Sequence, residues 1–212
     1  MTEAIDADYW QHYYEVTAER PAWGTVRKAI ELFREEDAAA AAAGKPQGRR
    51  FAVDLGCGAG RDARELLRAG WRVLAIDNEP AAKAAIEAAT EPELLPSLEV
   101  RVQDLASVEI PECDLVNASV SLQFLVGDSF DATWRRIVAA LRPGARFSAM
   151  IFLDRDEAAG EPDMNCPPPE HIQDGLADFE IEMWSEKEED SRTALGDPHH
   201  MHLVELVARK VR

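Results

Sequence analysis

Apolar positions along the chain switch repeatedly between short continuous runs and stripes at i, i+3, i+4, i+7, which predicts strands alternating with helices. An aromatic cluster, Tyr9-Trp10-Gln11-His12-Tyr13-Tyr14, comes first. After Pro21, the stripe Val26, Ala29, Ile30 and Phe33 predicts the first clear helix; it fades into six alanines at 38–43 and stops at Gly44-Lys45-Pro46. Phe51-Ala52-Val53-Asp54-Leu55 reads as a buried strand running into Gly56-Cys57-Gly58-Ala59-Gly60. The next helix buries Ala63, Leu66 and Leu67 and ends at Gly70. A second strand covers 71–76 and ends in Asp77, Pro80 opens a helix to Ala89, and a third strand covers 98–102. Residues 114–117 form a fourth strand, and Trp134, Ile137, Val138 and Leu141 mark a helix that Pro143-Gly144 turns into a fifth strand at 147–153.

This alternation requires crossover connections, which are right-handed and give a parallel sheet. The fold class expected is α/β, a doubly wound, Rossmann-like sheet with helices on both faces. The end of the chain breaks the rhythm. Residues 179–184 and 201–207 read as two strands joined by a charged loop, with Glu186 to Asp190 in solvent. They predict an antiparallel hairpin at the sheet edge, which brings the mostly parallel sheet to seven strands. The segment 154–169, rich in Pro, Gly and acids, is long enough for a lid or a disordered loop. The organisation expected is a single domain, with 1–46 as an N-terminal helical or lid segment and 47–212 as the ligand-binding body.

Charge narrows the partners. The 212 residues carry 23 Lys+Arg against 40 Asp+Glu, a formal charge of −17. Such a surface repels phosphate backbones and anionic membranes, so neither nucleic acid nor membrane is an expected partner. Three cysteines without paired short spacing suit neither a disulfide framework nor a zinc ribbon. No stretch approaches the roughly 18 apolar residues of a membrane span, and the chain reads as cytoplasmic and reduced.

In an open α/β sheet ligands sit beyond the carboxyl ends of the strands, where the strand order reverses. Gly56, Gly58 and Gly60 occupy that place, and glycine lets backbone approach a ligand closely. Asp77, 21 residues after Gly56, can accept both hydroxyls of an adenosine ribose. A dinucleotide site wants G-x-G-x-x-G, whereas the spacing is G-x-G-x-G, with Arg61 where the last glycine would stand. Asp54 at the strand end would repel a pyrophosphate but suits a ligand bearing an ammonium and a sulfonium. That combination favours S-adenosylmethionine over NAD.

Val53-Asp54-Leu55-Gly56-Cys57-Gly58-Ala59-Gly60 resembles the first motif of class I S-adenosylmethionine-dependent methyltransferases. Asp77, Gln103-Asp104-Leu105, the run from Asp114 to Ser119 and Leu141-Arg142-Pro143-Gly144 continue the likeness in order over residues 48–153. A closer likeness is to bacterial tellurite-resistance-type methyltransferases, through Gly60-Arg61-Asp62, Ser119-Val120-Ser121-Leu122-Gln123-Phe124, Asp154-Arg155-Asp156 and His200-Met201-His202. The resemblance implies an S-adenosylmethionine-binding methyltransferase domain over 47–212 and a small-molecule methyl acceptor with an S, Se, Te, N or O nucleophile. It implies that Asp54, Gly56, Gly58 and Gly60 hold the methionine part of the cofactor with the backbone at Asn117 and Ala118, with Cys57, Arg61 and Asn78 alongside. Asp77 would take the ribose, Asp104 the adenine amino group and the Leu105 amide a ring nitrogen. Tyr9, Trp10, Tyr13, Tyr14 and Arg20 become lid candidates, and Ser119 and Arg155 candidates for the acceptor side. The sequence departs from the family in Pro-Gly-Ala at the fifth-strand turn and in lacking an aromatic after Arg155.

Bland readings stand beside these. Arg61 and Asp62 also suit a first helical turn, and Asp104 a turn after a strand. The early aromatics also suit a staple between helix and sheet. His200 and His202 share a strand face but lack a third ligand, so no metal site is expected. A hydroxyl or ammonium acceptor would need a base, for which His200, His202 and Asp156 are the candidates; a thiol, selenol, tellurol or neutral amine would not. Rival readings are an NAD-dependent oxidoreductase, a non-catalytic module that binds the cofactor or its demethylated product, and a methyltransferase acting on protein or nucleic acid. A monomer or homodimer is equally compatible.

Overall fold

Residues 7–45 and 47–212 are described by the structure, a computed structural model. In chain order the elements are α1 (Ala7–Thr17), α2 (Gly24–Ala42), β1 (Phe51–Leu55), α3 (Arg61–Arg68), β2 (Arg72–Asp77), α4 (Pro80–Ala89), β3 (Leu98–Val102) and β4 (Cys113–Ser119). They continue with α5 (Asp128–Ala140), β5 (Leu141–Phe152), α6 (Pro169–Asp174), β6 (Phe179–Arg192) and β7 (Pro198–Lys210). The seven-stranded sheet has the order β3-β2-β1-β4-β5-β7-β6, with β1 to β5 parallel and β7 antiparallel to both β5 and β6. The order reverses between β1 and β4, so their carboxyl ends flank the crevice where such sheets bind ligands.

Each strand side packs its own helices. Val26, Ala29, Ile30 and Phe33 of α2 and Leu66 and Leu67 of α3 pack with Ala52, Val73, Ala75 and Leu115 on one face. On the other, Phe130, Trp134 and Ile137 of α5 and Ile172 of α6 pack with Val53, Val116, Phe147 and Ala149. The alanine tract belongs to α2, while Pro46, read as part of its stop, lies outside the described residues. The N-terminal segment thus shares the sheet's core. Ala145, in place of the second glycine of the Pro-Gly-Gly turn, avoids a positive φ, and Gly144 supplies the left-handed residue of that turn at φ 88°.

Arg146 ties three elements together from a site only 1% exposed. Its guanidinium donates to both oxygens of Glu36 on α2 (3.0 and 2.7 Å) and both of Glu182 on β6 (2.8 and 2.6 Å). It also lies 4.3 Å over the Phe33 ring. The hydrogen bonds from Arg146 hold the Glu36 carboxyl below its usual range.

Three sequence expectations need correction. The aromatic cluster belongs to a helix of its own, α1. Glu186 to Asp190 is strand, since pairing of β6 with β7 continues from Phe179↔Lys210 to Arg192↔Pro198. Glu186 faces His202 (2.9 Å), Asp190 faces His200 (2.7 Å) and Lys187 meets Glu205 (2.8 Å), so charge pairing replaces the apolar alternation that marks ordinary strands. Beyond Phe152↔Leu203 this hairpin leaves β5 and continues as a two-stranded arm. The segment 154–168 is an ordered strap: Asp156, 4% exposed, accepts from the backbone N–H groups of His202 (2.9 Å) and Ala158 (3.0 Å) and pairs with His199 (2.8 Å). Among the described residues no helix is long and apolar enough to cross a membrane.

Removing Arg146 leaves two carboxylates facing each other beneath α2. Arg146→Ala is expected to cost about 3–5 kcal/mol at pH 7 in denaturant unfolding. The deficit should shrink as pH falls through the Glu36 carboxyl, which Arg146 holds low in the parent, because the parent then loses that stabilisation.

Candidate functional site

The crevice is floored by the loop after β1. Gly56, Gly58 and Gly60 take φ of 70°, 49° and 77°, a region that strains any side chain. The N–H groups of Gly56 and Cys57 donate to the Ile76 carbonyl (2.8 and 3.1 Å), clamping the loop onto β2. A Cβ on Gly56 would fall 2.3 Å from Ser121 Cβ, and one on Gly60 2.2 Å from Ile86 Cγ1. The loop therefore needs glycine for close packing as well as for its turn, and α3 opens directly behind it.

Beneath the loop lies a buried polar cluster. The Asn117 amide, 0% exposed, donates to Asp54 Oδ1 (2.8 Å) and Asp62 Oδ2 (3.0 Å) and accepts from the Ser148 hydroxyl (3.0 Å). Asp62 Oδ1 accepts from Trp23 N–H (2.9 Å), which joins the chain ahead of α2 to the cluster. Asp54 Oδ2 is buried and has no partner. Burial, and then the Asp62 carboxylate beside it, push the Asp54 carboxyl up to about 8 against the pull of Asn117. Burial raises the Cys57 thiol as well, which keeps it protonated and poorly nucleophilic.

Asp77 closes the far side of the loop. Its Oδ2 accepts from Gly58 N–H (2.8 Å), and its Oδ1 from Glu79 N–H (3.0 Å) and the Tyr14 hydroxyl (3.3 Å). Burial raises its carboxyl. Asn78 next to it is exposed. Gln103 N–H donates to the Asp77 carbonyl (2.8 Å), which brings the end of β3 alongside. There Asp104, exposed, accepts from Ala106 N–H (2.8 Å) and starts a one-turn 3-10 helix with Leu105.

α1 roofs the crevice. The Tyr14 ring lies 3.2 Å from where a Gly58 Cβ would be, and Trp10 stacks on Tyr14 (centroids 6.1 Å). Trp10 also meets Tyr9, Tyr13 and Phe124 edge-on (5.4, 5.6 and 5.5 Å). Arg61 stacks over Trp23 (4.1 Å) and donates to the Pro21 carbonyl (Nε, 3.0 Å), so it anchors the chain that follows α1. Arg20 donates to the Ala194 carbonyl at the tip of the β6–β7 arm (2.7 Å). Arm and roof are therefore in contact.

The chain bends sharply where β4 ends. Val120 has φ 57°, costly for a β-branched residue, and its N–H donates to the Met150 carbonyl (2.9 Å). This bend tucks Ser121 beneath Gly56, where its hydroxyl donates to the Leu55 carbonyl (2.7 Å). Residues Leu122–Phe124 form a 3-10 turn. Ser119 donates weakly to Asn117 Oδ1 (3.4 Å). His202 is 0% exposed, its Nδ1 accepting from Arg155 N–H (3.1 Å) and its Nε2 on Glu186. Arg155 points outward to Glu186 and Glu188, and His200 is bound on the arm by Asp190. The expected site residues fall into two groups, one around the glycine loop and the other at the base of the arm. In the sequence Ser121 and Gln123 stand only within the run Ser119 to Phe124. The signal missed there was polar residues placed inside an otherwise apolar stretch just after a strand. No group of three or more His, Cys, Asp or Glu is arranged for a metal ion among the described residues.

With this geometry the chain can be compared with known proteins. Residues 53–149 match the family described as "Methyltransferase domain". No curated protein sequence matches. TehB from Haemophilus influenzae superposes with a TM-score of 0.71 at 17% identity, over 96% of this chain and 66% of its own. The Burkholderia thailandensis 1,6-didemethyltoxoflavin-N1-methyltransferase, solved with 1,6-didemethyltoxoflavin and S-adenosylhomocysteine, gives 0.62 at 20% identity, over 97% and 87%. A Methanosarcina mazei S-adenosylmethionine-dependent methyltransferase gives 0.60 at 20%, over 81% and 97%. Residues 53–149 therefore resemble a methyltransferase domain, and the chain shares the fold of these solved methyltransferases.

Proposed function

We propose that the protein transfers a methyl group from S-adenosylmethionine to a small-molecule acceptor in the crevice between β1 and β4. The observation that carries this reading is Asp54 Oδ2, a buried carboxylate oxygen without a partner beside a glycine loop. A cationic ammonium satisfies it, and a pyrophosphate would be repelled. Ser121 and Ile86 close the loop at Gly56 and Gly60, and Tyr14 covers Gly58, so in this reading the ligand reaches the loop by displacing Tyr14. When bound, the cofactor supplies an electrophilic methyl, and the protein's share is alignment and exclusion of water.

In this reading Asp54 and the loop hold the amino-acid end, and Asn117 fixes Asp54 from below. Asp77 accepts from the ribose; to do so it must share or release the Tyr14 hydroxyl, so α1 acts as the lid. Asp104 and the Leu105 amide lie at the end of β3 for the adenine. The candidate bases are held by other groups: His202 by the Arg155 backbone and Glu186, Asp156 by two backbone N–H groups and His199. This favours an acceptor that needs no base, a thiol, selenol, tellurol or neutral amine. The similar Burkholderia methyltransferase, solved with 1,6-didemethyltoxoflavin, supports the small-molecule class. Three free cysteines suit a cytoplasmic setting.

Calorimetric titration is expected to show micromolar binding of S-adenosylmethionine and S-adenosylhomocysteine and none of NADH; binding of NADH alone would overturn the assignment. Asp77→Ala should weaken the adenosyl ligands roughly 10- to 100-fold, since it removes hydrogen bonds to a charged group. Asp54→Asn separates stability from binding. In the ligand-free protein the folded-state carboxyl titrates at about 8, above its unfolded value, so Asp54 loses stabilising effect as pH rises toward 8. The variant should therefore melt higher than the parent at pH 8, the gain should fade toward pH 4, and cofactor affinity should drop. A melting difference independent of pH would contradict the buried, partnerless state of Asp54.

A further inference from the structure

Gln123 stands apart from the other buried polar residues. Its side chain is 0% exposed, and neither Oε1 nor Nε2 has a hydrogen-bond partner. Among the described residues no other side chain has both a donor and an acceptor buried and unmatched. Leaving such groups unpaired is destabilising, and a carboxamide in that state at a structural position would readily be replaced by an apolar residue of the same shape. Its location gives the reason. Ser121, two residues earlier, is the group packed under Gly56. Phe124, one residue later, meets Trp10 of the α1 roof. The backbone carbonyl of Gln123 accepts from Asn165 N–H of the strap at 2.7 Å. Loop, roof and strap converge on this one residue, just past the carboxyl end of β4.

We propose that Gln123 is the recognition residue for the acceptor, and that the acceptor carries a lactam-type edge, an N–H beside a C=O in one plane. The inference rests on the cofactor reading given above. A carboxamide offers one N–H donor and one C=O acceptor side by side, and its complement is a cis-amide edge that pairs with both at once. A carboxylate ligand would leave the Oε1 acceptor unmatched, and an ammonium would leave the Nε2 donor unmatched. The edge is a handle; the methylated atom lies elsewhere on the same molecule, toward the glycine loop. A site built on two buried hydrogen bonds rejects analogues that cannot make them, because the protein groups are then stranded.

The test uses the full chain saturated with S-adenosylhomocysteine and titrated with 2-pyridone and uracil, with N-methyl-2-pyridone as the control that lacks the donor. The wild type is expected to bind 2-pyridone and uracil at least tenfold more tightly than N-methyl-2-pyridone. Gln123→Met and Gln123→Glu should abolish that preference while affinity for S-adenosylhomocysteine stays within twofold. Without ligands, Gln123→Met should melt about 2–4 °C higher, because the unpaired amide is gone. The proposal is overturned if the wild type shows no preference, if Gln123→Met keeps it, or if Gln123→Met melts lower, which would mean that the amide is satisfied in the folded protein. Failure of the wild type to bind S-adenosylhomocysteine overturns the cofactor reading and this inference with it; normal binding without lactam preference overturns this inference alone.

Discussion

Two carboxyls, Asp54 and Asp62, are held out of water beneath the carboxyl ends of β1 and β4, and the Asn117 amide bridges them. Each of the three comes from a different element, so the cluster fixes β1 against β4 and sets the first turn of α3. The same arrangement leaves Asp54 Oδ2 without a partner. A buried carboxyl in that state is costly when ionised, and the ligand that relieves it is a cation. Fold and recognition therefore meet in one group.

The covers of the crevice follow from that economy. Tyr14 supplies a hydroxyl to Asp77 and lays its ring on the glycine loop, so α1 occupies the mouth with groups that water would otherwise solvate. Arg61 and Asp62 hold the chain behind α1 at Pro21 and Trp23. The arm reaches back from the far side of the sheet, and Arg20 touches its tip. These contacts are single hydrogen bonds and aromatic edges, unlike the doubly bidentate Arg146 that secures α2 to the sheet. Scaffold and cover are built from different classes of interaction.

The stretch from Ser119 to Phe124 shows how one backbone distortion arranges a pocket wall. The left-handed φ of Val120 breaks the strand so that Ser121 supports the glycine loop while Gln123 turns inward. Strain of this kind persists only where the surroundings over-determine it, and here the Met150 carbonyl and the Gly56 contact do so. The matched domain, residues 53–149, includes this wall but not the strap or the arm.

Order and type of the central elements were legible in the sequence because their signals are local. A buried strand such as Phe51–Leu55 and a stripe such as Val26 to Phe33 each carry their period within a few residues, and glycine at 56, 58 and 60 marks its own backbone need. Asp54 and Asp77 could be assigned chemistry because strand ends in this architecture converge on a crevice. The aromatic helix α1 and the outer half of β6 were not legible. The first buries its face against a loop about 45 residues away in sequence, and the second is a strand whose charges are neutralised by the facing strand and by Arg155. Likewise the hidden state of Asp54 Oδ2 and of Gln123 is a property of what surrounds them. Sequence by itself determined which groups this protein could offer to a ligand. Only the tertiary structure decided which of them were already spent on one another and which were left unpaired, because that depends on distant segments brought within hydrogen-bond reach.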